Sequence, residues 1–241
     1  MVRGDRGDSG SGDRNDSRDG EGNRDAPNDN YQRARERMVD QLARREEFDE
    51  STLDALRAVP RHEFVPPNRR DRAYEDRPLP IGSDQTISAP HMVAMMVDLL
   101  DLDPGERVLE VGTGCGYHAA ATAEVVGAEN VYSVEYHDSL AASARERLAD
   151  LGYGDVSVRV GDGREGWPEP APYDAAYLTC AARAFPEAVV EQVRPAGRLL
   201  APLETGDRPR SQRLVFARRR ADGSLDREPH GRVRFVPMQG D

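Results

Sequence analysis

Residues 107–120 read RVLEVGTGCGYHAA, a short apolar strand running into three glycines and then into a helix-forming segment. Gly112, Gly114 and Gly116 allow turn angles that side chains resist, and they let a ligand approach the main chain. The helix that follows begins with unpaired N–H groups directed at the turn. A strand, a glycine turn and a helix in this order open a doubly wound sheet, in which ligands sit beyond the carboxyl ends of the strands at the switch point.

Outward from this unit the alternation continues. Further strands are predicted at 131–136 (VYSVEY), 156–161 (VSVRVG), 173–179 (YDAAYLT) and 197–203 (GRLLAPL), with helices at 117–126, 139–152 and 185–193. Short apolar strands separated by helices imply an α/β fold with a mainly parallel, Rossmann-like sheet covered on both faces. At the C-terminal end, 212–220 and 231–238 read as antiparallel strands joined at ADGS. Upstream, 31–46 places Met38, Val39 and Leu42 on one helical face, and 51–59 is a second helix stopped by Pro60. Residues 61–85 read as a long ordered loop, a length that usually carries function. Residues 1–29 contain almost no apolar side chain and are predicted to be a disordered polar tail. The expected organisation is therefore this tail, N-terminal helices and a substrate-side loop over 30–90, and a cofactor-binding core over 91–241, with 30–241 folding as one unit.

The chain has 44 acidic and 33 basic residues, a net charge of -11, and every basic residue other than histidine is arginine. This balance excludes a nucleic-acid footprint read from total charge. It suits a protein kept soluble in a salty cytoplasm, although an arginine-favouring genome would leave the same lysine-free mark. Neither a signal-peptide core nor an 18-residue apolar run is present, so a cytoplasmic protein without membrane contact, acting as a monomer, is expected. The five histidines show no spacing with cysteines or acids that implies a metal.

The glycine turn is G-x-G-x-G, and Tyr117 stands where a dinucleotide fingerprint would continue toward its last glycine. Three acids fall at or near strand ends: Glu110, Glu135 and Asp162. Glu135 suits the two hydroxyls of a ribose, and a cluster of acids repels a pyrophosphate while favouring a cation. The combination points to S-adenosylmethionine, a sulfonium without phosphate. Asp162 also has a purely local reading, as the cap of the turn in GDGREGW. In QTISAPHMVAMMVDLL (85–100), Ser88 precedes Pro90 and an apolar run with Met92, Met95, Met96, Leu99 and Leu100 on one face. It reads both as a helix cap and as a residue placed to hold a reacting group.

The segments MVDQLARR, AVPRHEFVP, AYEDRPLPIGSDQTISAPHMVAMM, RVLEVGTGCGYHAA, GDGREGWPEPAPYDA and VRFVPM together resemble the protein-L-isoaspartate O-methyltransferases from about Met38 to Met238. The glycine loop is shared by class I S-adenosylmethionine-dependent methyltransferases generally. The resemblance implies Ser88 as the active-site serine, and Thr86, Ile87, Ser88, Ala89 and Pro90 as part of the substrate pocket. It implies Glu110, Gly112, Thr113, Gly114, Gly116, Glu135, Asp162 and Gly163 as cofactor contacts, no metal, and damaged proteins bearing L-isoaspartyl or D-aspartyl residues as partners. The alternatives keep the fold: a different acceptor, or a non-catalytic adaptor for damaged proteins. Cys115 and LTCAARAFPE (178–187) depart from the family pattern, so Arg183 is expected to bear on access to the pocket. Cys115 and Cys180 follow neighbouring strands and read either as small packing residues or as a redox-sensitive pair.

Overall fold

The computed structural model describes residues 27–206 and 211–240. Residues 1–26, most of the predicted tail, lie outside the described residues, and helix α1 (Pro27–Arg45) takes in the last three residues of that segment. Met38, Val39 and Leu42 of α1 are buried with Leu53 and Leu56 of α2 (Glu50–Ala58) and with Ala94.

The predicted loop 61–85 holds two 3-10 turns (Arg61–Phe64 and Pro67–Arg72) and a short hairpin, β1 (Leu79–Gly82) and β2 (Gln85–Ile87). Ser83 and Asp84 form its two-residue turn, both at positive φ, the arrangement whose twist matches that of paired strands. The hairpin brings Thr86–Ser88 to the start of helix α3 (Pro90–Leu100). Ser88 does not cap that helix. Ala89 occupies the cap position without a side-chain bond, and the carboxylate of Asp76, from the loop, accepts from the His91 N–H at 3.0 Å. The buried face of α3 is Val93, Ala94, Met96, Val97 and Leu100, while Met92, Met95 and Leu99 pack at its margin.

The core alternates β3 (Val108–Val111), α4 (Tyr117–Val126), β4 (Val131–Glu135), α5 (Asp138–Asp150), β5 (Ser157–Val160), β6 (Tyr173–Leu178), α6 (Glu187–Gln192), β7 (Val193–Glu204), β8 (Gln212–Arg219) and β9 (Leu225–Val233). The seven strands are ordered β5-β4-β3-β6-β7-β8-β9, parallel from β5 to β7 and antiparallel at β7–β8 and β8–β9. The chain winds from β3 out to β5, then returns to the other side of β3, so the switch point lies at the carboxyl end of β3. Alternation along β3 sends Val108 to the face covered by α3 and α4, and Leu109 and Val111 to the opposite face.

One strand lies elsewhere than expected. β9 runs over 225–233 rather than 231–238, because its charged first half forms the exposed edge of the sheet, where apolar alternation is not required and Pro229 is tolerated. Residues 234–238 leave the sheet edge. Val236 C=O accepts from the Ala181 N–H, and the Met238 N–H donates to Ala181 C=O, both at 2.8 Å.

Candidate active site

At the switch point a cavity opens between the glycine turn, the end of β4, the segment Gln85–Ser88 and the segment Val236–Gln239. Thr86, Ile87, Ser88, Gly112, Thr113, Gly114, Glu135 and Gly163 all line it. Five other expected site residues do not.

Gly112 has φ +102, and a Cβ there would stand 2.3 Å from Thr179 Oγ1, which donates to the Gly112 C=O at 2.5 Å. Gly112 N–H donates to Val134 C=O at 2.8 Å. The next strand ties down the remainder of the turn: Glu135 Oε2 accepts from the Gly114 N–H at 2.8 Å, and Oε1 accepts from the His137 N–H at 3.0 Å. Each carboxylate oxygen keeps a lone pair for a further donor. Gly163 also lines the cavity because nothing larger fits, since a Cβ there would meet Val111 Cγ1 at 2.3 Å.

Glu110, expected as a cofactor contact, lies fully buried beneath the turn. It is one residue short of the strand end, so the pleat turns it onto the helix-covered face between Ser133 and Tyr177, its partners in register. Ser133 Oγ and Tyr177 OH donate to its two oxygens at 2.5 and 2.9 Å. Ser133 also meets Thr113 Oγ1 at 2.5 Å, and Tyr177 meets Thr122 Oγ1 at 2.9 Å. Glu110 therefore supports the turn through Ser133 and Thr113. Burial pushes its carboxyl up to about 8. A carboxyl raised above its unfolded value contributes stability at acid pH that is lost as the pH rises through the folded value. Accordingly, Glu110→Gln is expected to gain in melting temperature relative to the parent as pH rises from 5 to 9; a constant difference across that range would contradict this.

Asp162 takes the local reading. It caps the turn Gly163–Glu165 by accepting the Arg164 N–H at 2.9 Å, and the Arg164 guanidinium grips both its oxygens. That guanidinium holds its carboxyl below the usual range. Gly116 is the left-handed cap of α4, tight against Leu148 rather than a ligand surface. Ala89 and Pro90 serve the helix start.

The cavity also has walls that strand-end acids and glycines did not signal: Tyr136, His137, His118, Thr179 and Val236–Gln239. The VRFVPM motif was the only mark of the last of these. Cys115 and Cys180 line the cavity as free thiols. Burial raises both, Cys180 to about 12, which keeps them protonated and slow to oxidise. Arg183 is exposed on an adjoining groove that shares Pro237, Met238 and Gln239 with this cavity.

Among the described residues the lining has no arginine and one carboxylate, Glu135. Such a cleft fits an adenosyl group bearing a cation and disfavours a pyrophosphate. Among the described residues no group of histidine, cysteine and acidic side chains gathers to hold a metal, and no helix is long and apolar enough to cross a membrane.

A family model described as protein-L-isoaspartate(D-aspartate) O-methyltransferase matches residues 33–241. The chain belongs to this family. Protein-L-isoaspartate O-methyltransferase 2 of Archaeoglobus fulgidus is 48% identical over 212 residues, 88% of this chain and 95% of that protein. The protein-L-isoaspartate O-methyltransferase of Methanopyrus kandleri is 48% identical over 214 residues, 88% and 93% respectively. A solved protein-L-isoaspartate O-methyltransferase superposes with a TM-score of 0.78 at 30% identity, over 86% of this chain and 66% of that longer one. A Plasmodium falciparum structure of the family in complex with S-adenosyl-L-homocysteine, 23% identical, shares the fold with a TM-score of 0.72 over 85% and 98%. The match to the family model spans both the sheet and the N-terminal region that delivers Ser88.

Proposed function

We propose that this cavity transfers a methyl group from S-adenosylmethionine to the free α-carboxylate of an L-isoaspartyl residue in a damaged protein, with D-aspartyl residues as a second acceptor. The observation that carries this reading is the meeting of Ser88 and the glycine turn on one cavity. S-adenosylmethionine supplies an electrophilic methyl group on a positive sulfonium.

The chain's own residues have little proton chemistry to perform. The acceptor α-carboxylate, with a pKa of about 3.5, is already ionised at neutral pH and needs no general base. The Ser88 hydroxyl donates to the carboxylate oxygen that does not attack, fixing the other in line. Glu135 takes hydroxyl donors of the ribose, and the glycine turn admits the ligand to main-chain distance. Ile87, Val93, Val111 and Val134 exclude water from the reacting end. Placement of this kind is worth roughly 7–11 kcal/mol of barrier.

The methyl ester cyclises to a succinimide as the following residue's backbone nitrogen displaces methanol, and water opens the ring in part to normal aspartate. A peptide with one isoaspartyl residue, incubated with the enzyme and excess methyl donor, is therefore expected to convert progressively to the aspartyl form. Persistence of the isoaspartyl peptide would contradict the repair reading. The acidic, lysine-free composition supports a monomer working in a salty cytoplasm, for which the melting temperature should rise from dilute to multimolar KCl; a fall would oppose it.

A further inference from the structure

His118, the second residue of α4, is 6% exposed and lines the cavity. Its ring packs on Tyr177 with centroids 4.6 Å apart, but the Tyr177 hydroxyl is committed to Glu110 and Thr122. Neither ring nitrogen of His118 has a hydrogen-bond partner. Leaving a buried polar group unpaired costs about 1–3 kcal/mol, and on a cavity wall it marks a place where a ligand supplies the partner. Burial lowers this imidazole to about 3, so the ring is neutral at working pH, with one N–H and one bare nitrogen.

The two ends of the reaction present different groups to such a ring. The carboxylate to be methylated offers acceptors only. The α-amino-acid end of the methyl donor offers a carboxylate to an N–H and an ammonium to a bare nitrogen, so it supplies a partner to either nitrogen whichever carries the proton. We infer that His118 is a binding residue for the α-amino-acid end of S-adenosylmethionine, orienting the sulfonium while Glu135 holds the ribose. The inference rests on the reading of the cavity as the methyl-transfer site.

Calorimetric titration of the full chain with two probes tests it: S-adenosylhomocysteine, and 5′-methylthioadenosine, which keeps the adenosyl group and lacks the amino-acid end. His118→Leu is expected to weaken S-adenosylhomocysteine by about 10- to 100-fold and to leave methylthioadenosine unchanged, with His118→Gln between Leu and the parent. Melting curves of each variant establish that it is folded. Equal weakening of both probes, or of neither, in a folded His118→Leu protein would overturn the inference, as would a loss confined to the KM for an isoaspartyl peptide. Failure of the parent itself to bind S-adenosylhomocysteine would instead overturn the reading of the cavity.

Discussion

Gly112→Val is expected to abolish cofactor binding, with affinity for S-adenosylhomocysteine falling at least about 100-fold. Two penalties act together. The position has φ +102, a conformation that costs a side-chain-bearing residue about 1–3 kcal/mol. The added Cβ would also stand 2.3 Å from Thr179 Oγ1, displacing a hydroxyl that holds the Gly112 C=O. The turn would relieve both by shifting, which takes the Gly114 N–H away from Glu135 and moves the carboxylate from the position proposed for it on the ribose. Gly112→Ala carries the same penalties in milder form. Adding Thr179→Ala to it removes the clash and leaves the backbone strain, so affinity should recover only in part. Calorimetry with matched melting curves separates these effects from unfolding. Near-parental affinity in folded Gly112→Val would show that the turn does not touch the cofactor.

Ser88→Ala is expected to lower kcat/KM for an isoaspartyl peptide by about 10- to 100-fold, the loss of one hydrogen bond to a charged group. The structure sharpens this experiment. Asp76 supplies the bond at the start of α3 and Ala89 is the cap residue, so removing the hydroxyl leaves the helix intact. The melting temperature should therefore stay within about a degree or two of the parent, as for substitutions away from packing and caps. S-adenosylhomocysteine binding should also be unchanged. A large fall in melting temperature with normal turnover would restore Ser88 to a structural role.

These two sites show how far the sequence could be read. The glycine turn was legible because backbone demands leave a residue-level trace: Gly112 is glycine for its φ angle, and periodicity around it marks the strand and helix. The placement of Ser88 on the cavity was legible through the TISAPH motif, but its partner at the helix start was not. Asp76 lies 15 residues from His91, and nothing local marks a carboxylate that folds back over that distance. Glu110 failed for a related reason. Counting acids near strand ends ignores depth: Glu110 lies level with Ser133 beneath the turn, while Glu135, on the same face two residues further along its strand, reaches the cavity. β9 was misplaced because an edge strand can be charged along its exposed half. The C-terminal wall of the site depends on a pairing between Ala181 and Val236–Met238, which only the closed sheet brings together.

The central claim is chemical: a methyl group moves from S-adenosylmethionine to an isoaspartyl carboxylate in the cavity that Ser88 and the glycine turn share. Its most direct test offers labelled S-adenosylmethionine to two peptides that differ only in an isoaspartyl against an aspartyl residue, in dilute and in multimolar KCl. Label on the isoaspartyl peptide alone, sharply reduced by Ser88→Ala, is the expected result. Equal labelling of both peptides, or none at any salt while S-adenosylhomocysteine still binds, would contradict it and leave a methyltransferase fold with another acceptor or a non-catalytic adaptor.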